Sequence, residues 1–202
     1  MKNLAKIIFE ILENNNSIEI ITQKVKEIKI ENFGEYYKKE HEKLKDKYPR
    51  IDFEINFEDD ENTFMKIIND ENFQENLKTP LEKLLYAILW KQGDLKKIKH
   101  IIQGIRDNEP KKAMVFHQFG KFLSSDNEPI IDQHTLRSFA YYKHKTEYYS
   151  ITEITIKHLD FITEYKNFIQ KLLQKIEGDK NEILFEIDRI LFIFGRHIKN
   201  SK

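Results

Sequence analysis

The stretch TPLEKLLYAILWKQGDLKKIKHIIQGI, residues Thr79 to Ile105, settles the class of fold. Thr79 is a good N-cap, Pro80 suits the first helical position, and Glu82 completes a capping box. Leu84, Leu85, Ile88 and Leu89 then recur at helical spacing as far as Trp90. Gly93-Asp94 ends that helix and caps the next, whose stripe is Leu95, Ile98, Ile101, Ile102 and Ile105.

The same periodicity extends in both directions. Toward the N-terminus, Leu4, Ile7, Ile8, Ile11 and Leu12 mark a helix closed by Asn14-Asn15-Asn16. A charged amphipathic region follows from Ile18 to Lys47, broken near Asn32-Phe33-Gly34 and closed by Tyr48-Pro49. Ile51, Phe53, Ile55 and Phe57 alternate with polar residues. That is the period of a short strand, or of an extended segment packed on helices. Asp59–Asn76 reads as loop with one short helix around Phe64–Ile68.

Toward the C-terminus, a helix carries Met114, Val115, Phe119, Phe122 and Leu123, and Ser124–Pro129 is a loop. Asp132 opens a helix through Leu136, Phe139 and Ala140. Ser150–Ile156 is short or irregular, and two amphipathic helices follow, Asp160–Ile176 and Ile183–Ile198, split at Gly178-Asp179. The expectation is an all-α protein: an N-terminal helical region over 1–78 packed on a helical domain over 79–202, or one domain overall.

Composition narrows the function. Of 202 residues 40% are hydrophobic, with 15 Phe and 9 Tyr, so the chain can build a core. Without cysteine there is no disulfide, thiolate metal site or cysteine nucleophile. No apolar run approaches membrane-spanning length and no secretory leader is visible, so a cytoplasmic protein with no membrane partner is expected. Net charge is zero but unevenly spread. Ile51–Asn76 carries nine acids and one lysine, net −8, whereas Lys91–Lys121 carries eight Lys or Arg and three acids, net +5. The basic segment is either a phosphate-binding face or a solvated helix surface. Phosphate-cradling loops, acyl-transfer elbows and paired-histidine zinc motifs are missing, so neither cofactor nor metal is called for. His117, inside the apolar Met114–Phe122 stretch, reads as a satisfied histidine.

What remains is NEPIIDQHTLRSF, residues Asn127 to Phe139. Asp132 at a helix start satisfies amides as a cap, and the same carboxylate can face a ligand. His134 and Arg137, one turn apart, are placed to reach one phosphate.

Pro129, Asp132, His134 and Arg137 resemble the catalytic stretch of the helix-hairpin-helix DNA glycosylase superfamily, in particular its 8-oxoguanine glycosylase-like prokaryotic proteins. Leu84–Trp90, Gln92 and Asp94–Ile105 are similar to that family's upstream helices, and Lys112 lies 132 − 112 = 20 positions before Asp132, where the family has a lysine. Glu186–Phe192 with Gly195-Arg196 is similar to its C-terminal helix, so the resemblance covers Thr79 to Lys199. One departure is the hairpin: Asn108-Glu109-Pro110-Lys111-Lys112 lacks the glycine pair whose amides grip a DNA phosphate. Another is the proline, three rather than two residues before Asp132.

The resemblance implies double-stranded DNA as partner and cleavage of the N-glycosidic bond of a modified base. Asp132 would stabilise the sugar cation and Lys112 would attack the anomeric carbon. Lys111, Lys121, His134 and Arg137 would meet phosphates, and Gln92 would fill the gap of a flipped base. The competing expectation is a non-enzymatic helical interaction protein, a subunit of a larger assembly that uses its aromatic helices as partner surface.

Overall fold

The computed structural model describes residues 1–51, 53–69, 73–110, 112–125 and 127–201. Ten α-helices and several short 3-10 turns account for the regular structure among the described residues, so the protein is all-α. No strand forms there; Ser17 and Glu177 make one isolated bridge. No helix among them is long and apolar enough to cross a membrane.

The chain divides into two compact units, and one of them is discontinuous: residues 1–52 with 126–202, interrupted by residues 53–125. The boundary expected after residue 78 therefore falls inside the inserted unit, and the first three helices share a core with the last three.

In the discontinuous unit, α1 (Lys2–Glu13) buries Leu4, Ala5, Ile8, Phe9 and Leu12, one face at three- and four-residue spacing. α2 (Ile18–Lys26) starts at Ser17, whose hydroxyl accepts from Ile20 N at 3.3 Å. α3 (Phe33–Lys47) buries Phe33, Tyr37, His41 and Leu44. Gly34 lies so close to the preceding turn that a Cβ would stand 2.4 Å from the Lys26 carbonyl oxygen. α8 (Gln133–Lys143) and α9 (Leu159–Lys175) supply Leu136, Phe139, Phe161, Tyr165 and Phe168. α10 (Lys180–Asn200) packs on α8, α3, α9 and α2, and buries residues around much of its circumference. A helix apolar on that many sides belongs at the centre of its domain.

The inserted unit is leaner. α4 (Glu61–Ile68) is capped by Asp60, which accepts from Thr63 N at 3.2 Å. α5 (Pro80–Gln92) has the expected Thr79–Glu82 capping box and ends at Gly93 in the left-handed region, φ 73. α6 (Ile98–Ile105) and α7 (Met114–Ser124) form its heart. They touch backbone to backbone at Gly104 and Gly120, where either added Cβ would come within 2.0 Å of a carbonyl oxygen on the other helix. The alternating segment takes no regular form over 53–56 and joins no sheet; Ile55 N donates to Leu123 O at 2.7 Å. Of the buried hydrophobic residues, only Ile102, Met114 and Leu123 belong to this unit among the described residues. It thus has little core of its own relative to its length.

Candidate functional site

Asp132 caps α8, as its position in the sequence suggests. Its Oδ1 accepts from His134 N at 2.6 Å and Thr135 N at 2.8 Å, and Thr135 Oγ1 accepts in return from Asp132 N at 3.1 Å. Burial raises the Asp132 carboxyl above its ordinary range against the pull of those amides.

His134 and Arg137 do meet, but not at the surface. Arg137 is 2% exposed. Its guanidinium donates to His134 Nδ1 at 2.9 Å, to the Gly195 carbonyl at 3.1 Å and to the Ile151 carbonyl. The phosphate contact expected of Arg137 is therefore corrected: its donors hold α8, α10 and the segment before α9 together. Gly195 permits the crossing, since a Cβ there would stand 2.0 Å from the His134 carbonyl oxygen. His134 is half-buried, edge-on to Phe192 at 4.9 Å. Desolvation, then repulsion from Arg137, lowers its pKa to about 4. Neutral near pH 7, its Nδ1 accepts from Arg137, so the expected phosphate contact of His134 loses its charge.

Beneath this cap lies a buried carboxyl from the Asp188-Arg189 pair, which in sequence reads as part of an interhelical salt bridge. Asp188 on α10 accepts from Ile130 N at 2.9 Å and from the Tyr165 hydroxyl at 3.1 Å. Burial pushes its pKa up to about 8, and the neighbouring Asp132 carboxyl adds to the rise. Arg189 turns instead to Glu186, three residues back on the same helix, and stacks on Phe185 at 4.5 Å. Among the described residues neither Asp188 nor Arg189 makes an interhelical salt bridge; Arg189 also donates to the Tyr48 carbonyl at 3.3 Å. Burial likewise holds the Tyr165 hydroxyl far above its usual range. Asp132, Tyr165 and Asp188 thus form a desolvated acidic cluster that ties the 130–132 turn to α9 and α10.

The remaining candidates belong to the inserted unit. Lys112 is exposed in the α6–α7 connection, and Lys111 lies outside the described residues. Lys121 forms an ion pair with Asp107, which bonds it within its own unit. Gln92 is exposed in the last turn of α5. His117 is buried, with Nε2 at 2.6 Å from the Asn108 carbonyl. That bond and Asn108 N donating to Gln103 O at 3.0 Å shape the connection without a glycine. Lys112 and Asp132 are carried by different units.

The helix α5, read from the sequence by its capping box and apolar stripe, faces outward. No residue of this helix is buried, and Leu81, Leu84, Leu85, Ile88 and Trp90 are between 44% and 67% exposed. Leu81, Leu84, Leu85 and Ile88 form one stripe; Trp90, nine residues beyond Leu81, lies on the opposite side at about 100° per residue. Comparison with known proteins adds no relative: no family model, curated protein or solved structure matches the chain.

Proposed function

We propose that this chain is a helical interaction protein that engages a protein partner through α5. The observation that carries the reading is the exposed stripe Leu81, Leu84, Leu85 and Ile88 on a helix with no buried residue. Exposed apolar side chains are ordinary when scattered; a contiguous stripe of four is a contact surface. Burying what remains exposed of each contributes about 1 kcal/mol, half of a full side-chain burial, so the stripe offers roughly 4 kcal/mol before association costs. That suits one anchor within a larger contact. The thin core of the inserted unit supports the reading, because a partner on α5 would complete it.

The test is to replace both Leu84 and Leu85 by Asn. The double variant should melt like wild type, since neither side chain is buried, and should lose a protein that wild type retains at stoichiometric ratio. Unchanged retention by the folded variant would overturn the reading.

A second reading is duplex DNA binding by the basic segment, favoured by the exposed Lys91, Lys96 and Lys112. With Arg137 enclosed and His134 neutral, phosphates would be met by lysines alone, and affinity would fall steeply with salt. In a glycosylase of this kind Asp132→Asn would abolish base release and keep DNA binding, because asparagine keeps the cap. Lys112→Gln would abolish a borohydride-trapped adduct on a duplex carrying a modified base. No gel shift at low salt by folded protein would exclude this reading.

A further inference from the structure

Building on the α5 docking reading, we infer that the segment seated on α5 is an acidic amphipathic helix of a partner protein. The stripe Leu81, Leu84, Leu85 and Ile88 has i, i+3, i+4, i+7 spacing, which presents two turns of ridge to another helix. Its surroundings are basic. Lys78 precedes Leu81 by three positions and Lys91 follows Ile88 by three, so the stripe is bracketed by lysines, and Lys83 and Lys96 are also exposed.

Two of the acids on or next to α5 are already engaged, while Asp60 lies near Lys78 and Glu75 is exposed beside Gln74, which bonds Tyr86. Glu82 accepts from the Lys78 and Thr79 amides at 2.6 and 2.7 Å, and Asp94 pairs with Lys97. The complementary surface is therefore apolar with carboxylates at both ends of the contact.

Size and charge argue against the other occupants. A 13-residue helix is about 20 Å long, and one face of it covers a few hundred Å², against roughly 800 Å² per partner in a stable complex. A second copy would add the same lysines to that small face, and like charges oppose. A bilayer is flat and covers one side of a helix, whereas the exposed apolar groups of α5 include Trp90 on the side opposite the stripe.

The experiment uses the full chain and two labelled 18-residue peptides with the same leucine stripe, one flanked by Glu and one by Lys, followed by fluorescence anisotropy. Wild type should bind the Glu peptide at least tenfold more tightly than the Lys peptide. Lys78→Glu with Lys91→Glu should invert that order, and Leu84→Asn with Leu85→Asn should abolish binding of both. Equal binding of the two peptides to wild type, lost in the leucine variant, would overturn the acidic partner and leave α5 as the docking helix. Binding of both peptides undiminished by the leucine variant would overturn the α5 site itself. Tighter association with phosphatidylserine vesicles than with the Glu peptide would replace the protein partner by a membrane, and concentration-dependent dimerisation lost in the leucine variant would replace it by a second copy. Absence of any Glu-peptide binding would overturn the inference.

Discussion

Replacing Asp188 by Asn removes a titration without removing a shape. Asp188 is buried, and burial pushes its pKa up to about 8 against an ordinary 3.8. A carboxyl whose folded value is raised stabilises fully below its unfolded value and loses that contribution as pH rises through the folded one. The window is thus about pH 4 to 8. Across it the protonated carboxyl forfeits an amount on the order of 6 kcal/mol, at about 1.4 kcal/mol per pH unit. Other groups sharpen the useful range. His134, depressed to about 4, stabilises above its unfolded value near 6.5 and loses that as pH falls, so it opposes Asp188 only below 6.5. Tyr165 titrates far above the window. Between pH 6.5 and 8 wild type should therefore lose about 2 kcal/mol, which lowers the melting temperature by roughly 4–8 °C in a chain of this size. Asp188→Asn keeps an acceptor for Ile130 N and offers a donor to Tyr165. Its melting temperature should already stand above wild type near pH 6, where the window has cost wild type about 3 kcal/mol, and the gap should widen toward pH 8. Melting curves at the two pH values decide the matter. A wild-type temperature that does not move, or a variant that falls in parallel, would refute the neutral buried acid.

Three further outcomes can be measured on the purified chain. Arg137→Met should cost about 2–4 kcal/mol in urea unfolding, because the Gly195 and Ile151 carbonyls lose a charged donor; less than 1 kcal/mol would return Arg137 to the surface. Gly195→Ala should cost about 1–3 kcal/mol or yield insoluble protein, since the methyl has no room beside the His134 carbonyl; a wild-type melting curve would contradict that crossing. Thr79→Ala should destabilise α5 by about 1 kcal/mol through loss of its capping box, read as faster amide exchange across Glu82 to Leu85 with the α10 amides unchanged.

The helices were legible because their signals are local. Thr79, Pro80 and Glu82 announce α5, and Gly93 closes it, whatever the rest of the chain does. Asp132 declares a cap for the same reason, with Thr135 three residues on. The direction in which a stripe faces is not local. Leu84 and Ile88 look alike whether they fill a core or await a partner, so the sequence leaves the facing of α5 open. Arg137 looks like a phosphate ligand until Gly195, 58 residues later, brings a carbonyl to it. Asp188 and Arg189 sit side by side in sequence, yet on a helix adjacent residues point about 100° apart, so Asp188 meets Tyr165 while Arg189 turns to Glu186. The division into units escaped for a related reason: α3 and α10 cover each other across an insertion that no composition change marks.

The discontinuous unit also dictates an order of assembly. During synthesis α1, α2 and α3 leave the ribosome early, with Leu4, Ile8, Phe9, Phe33 and Tyr37 already made but their cover still untranslated. Residues 53–125 emerge next and can form the α6–α7 pair from close neighbours in sequence. Only when α10 arrives does the first unit find its centre. A nascent chain of this kind must shield its first helices while the inserted unit is made, and a polypeptide halted before Lys180 would give α1 its partners α8 and α9 but leave α3 without the helix that covers it.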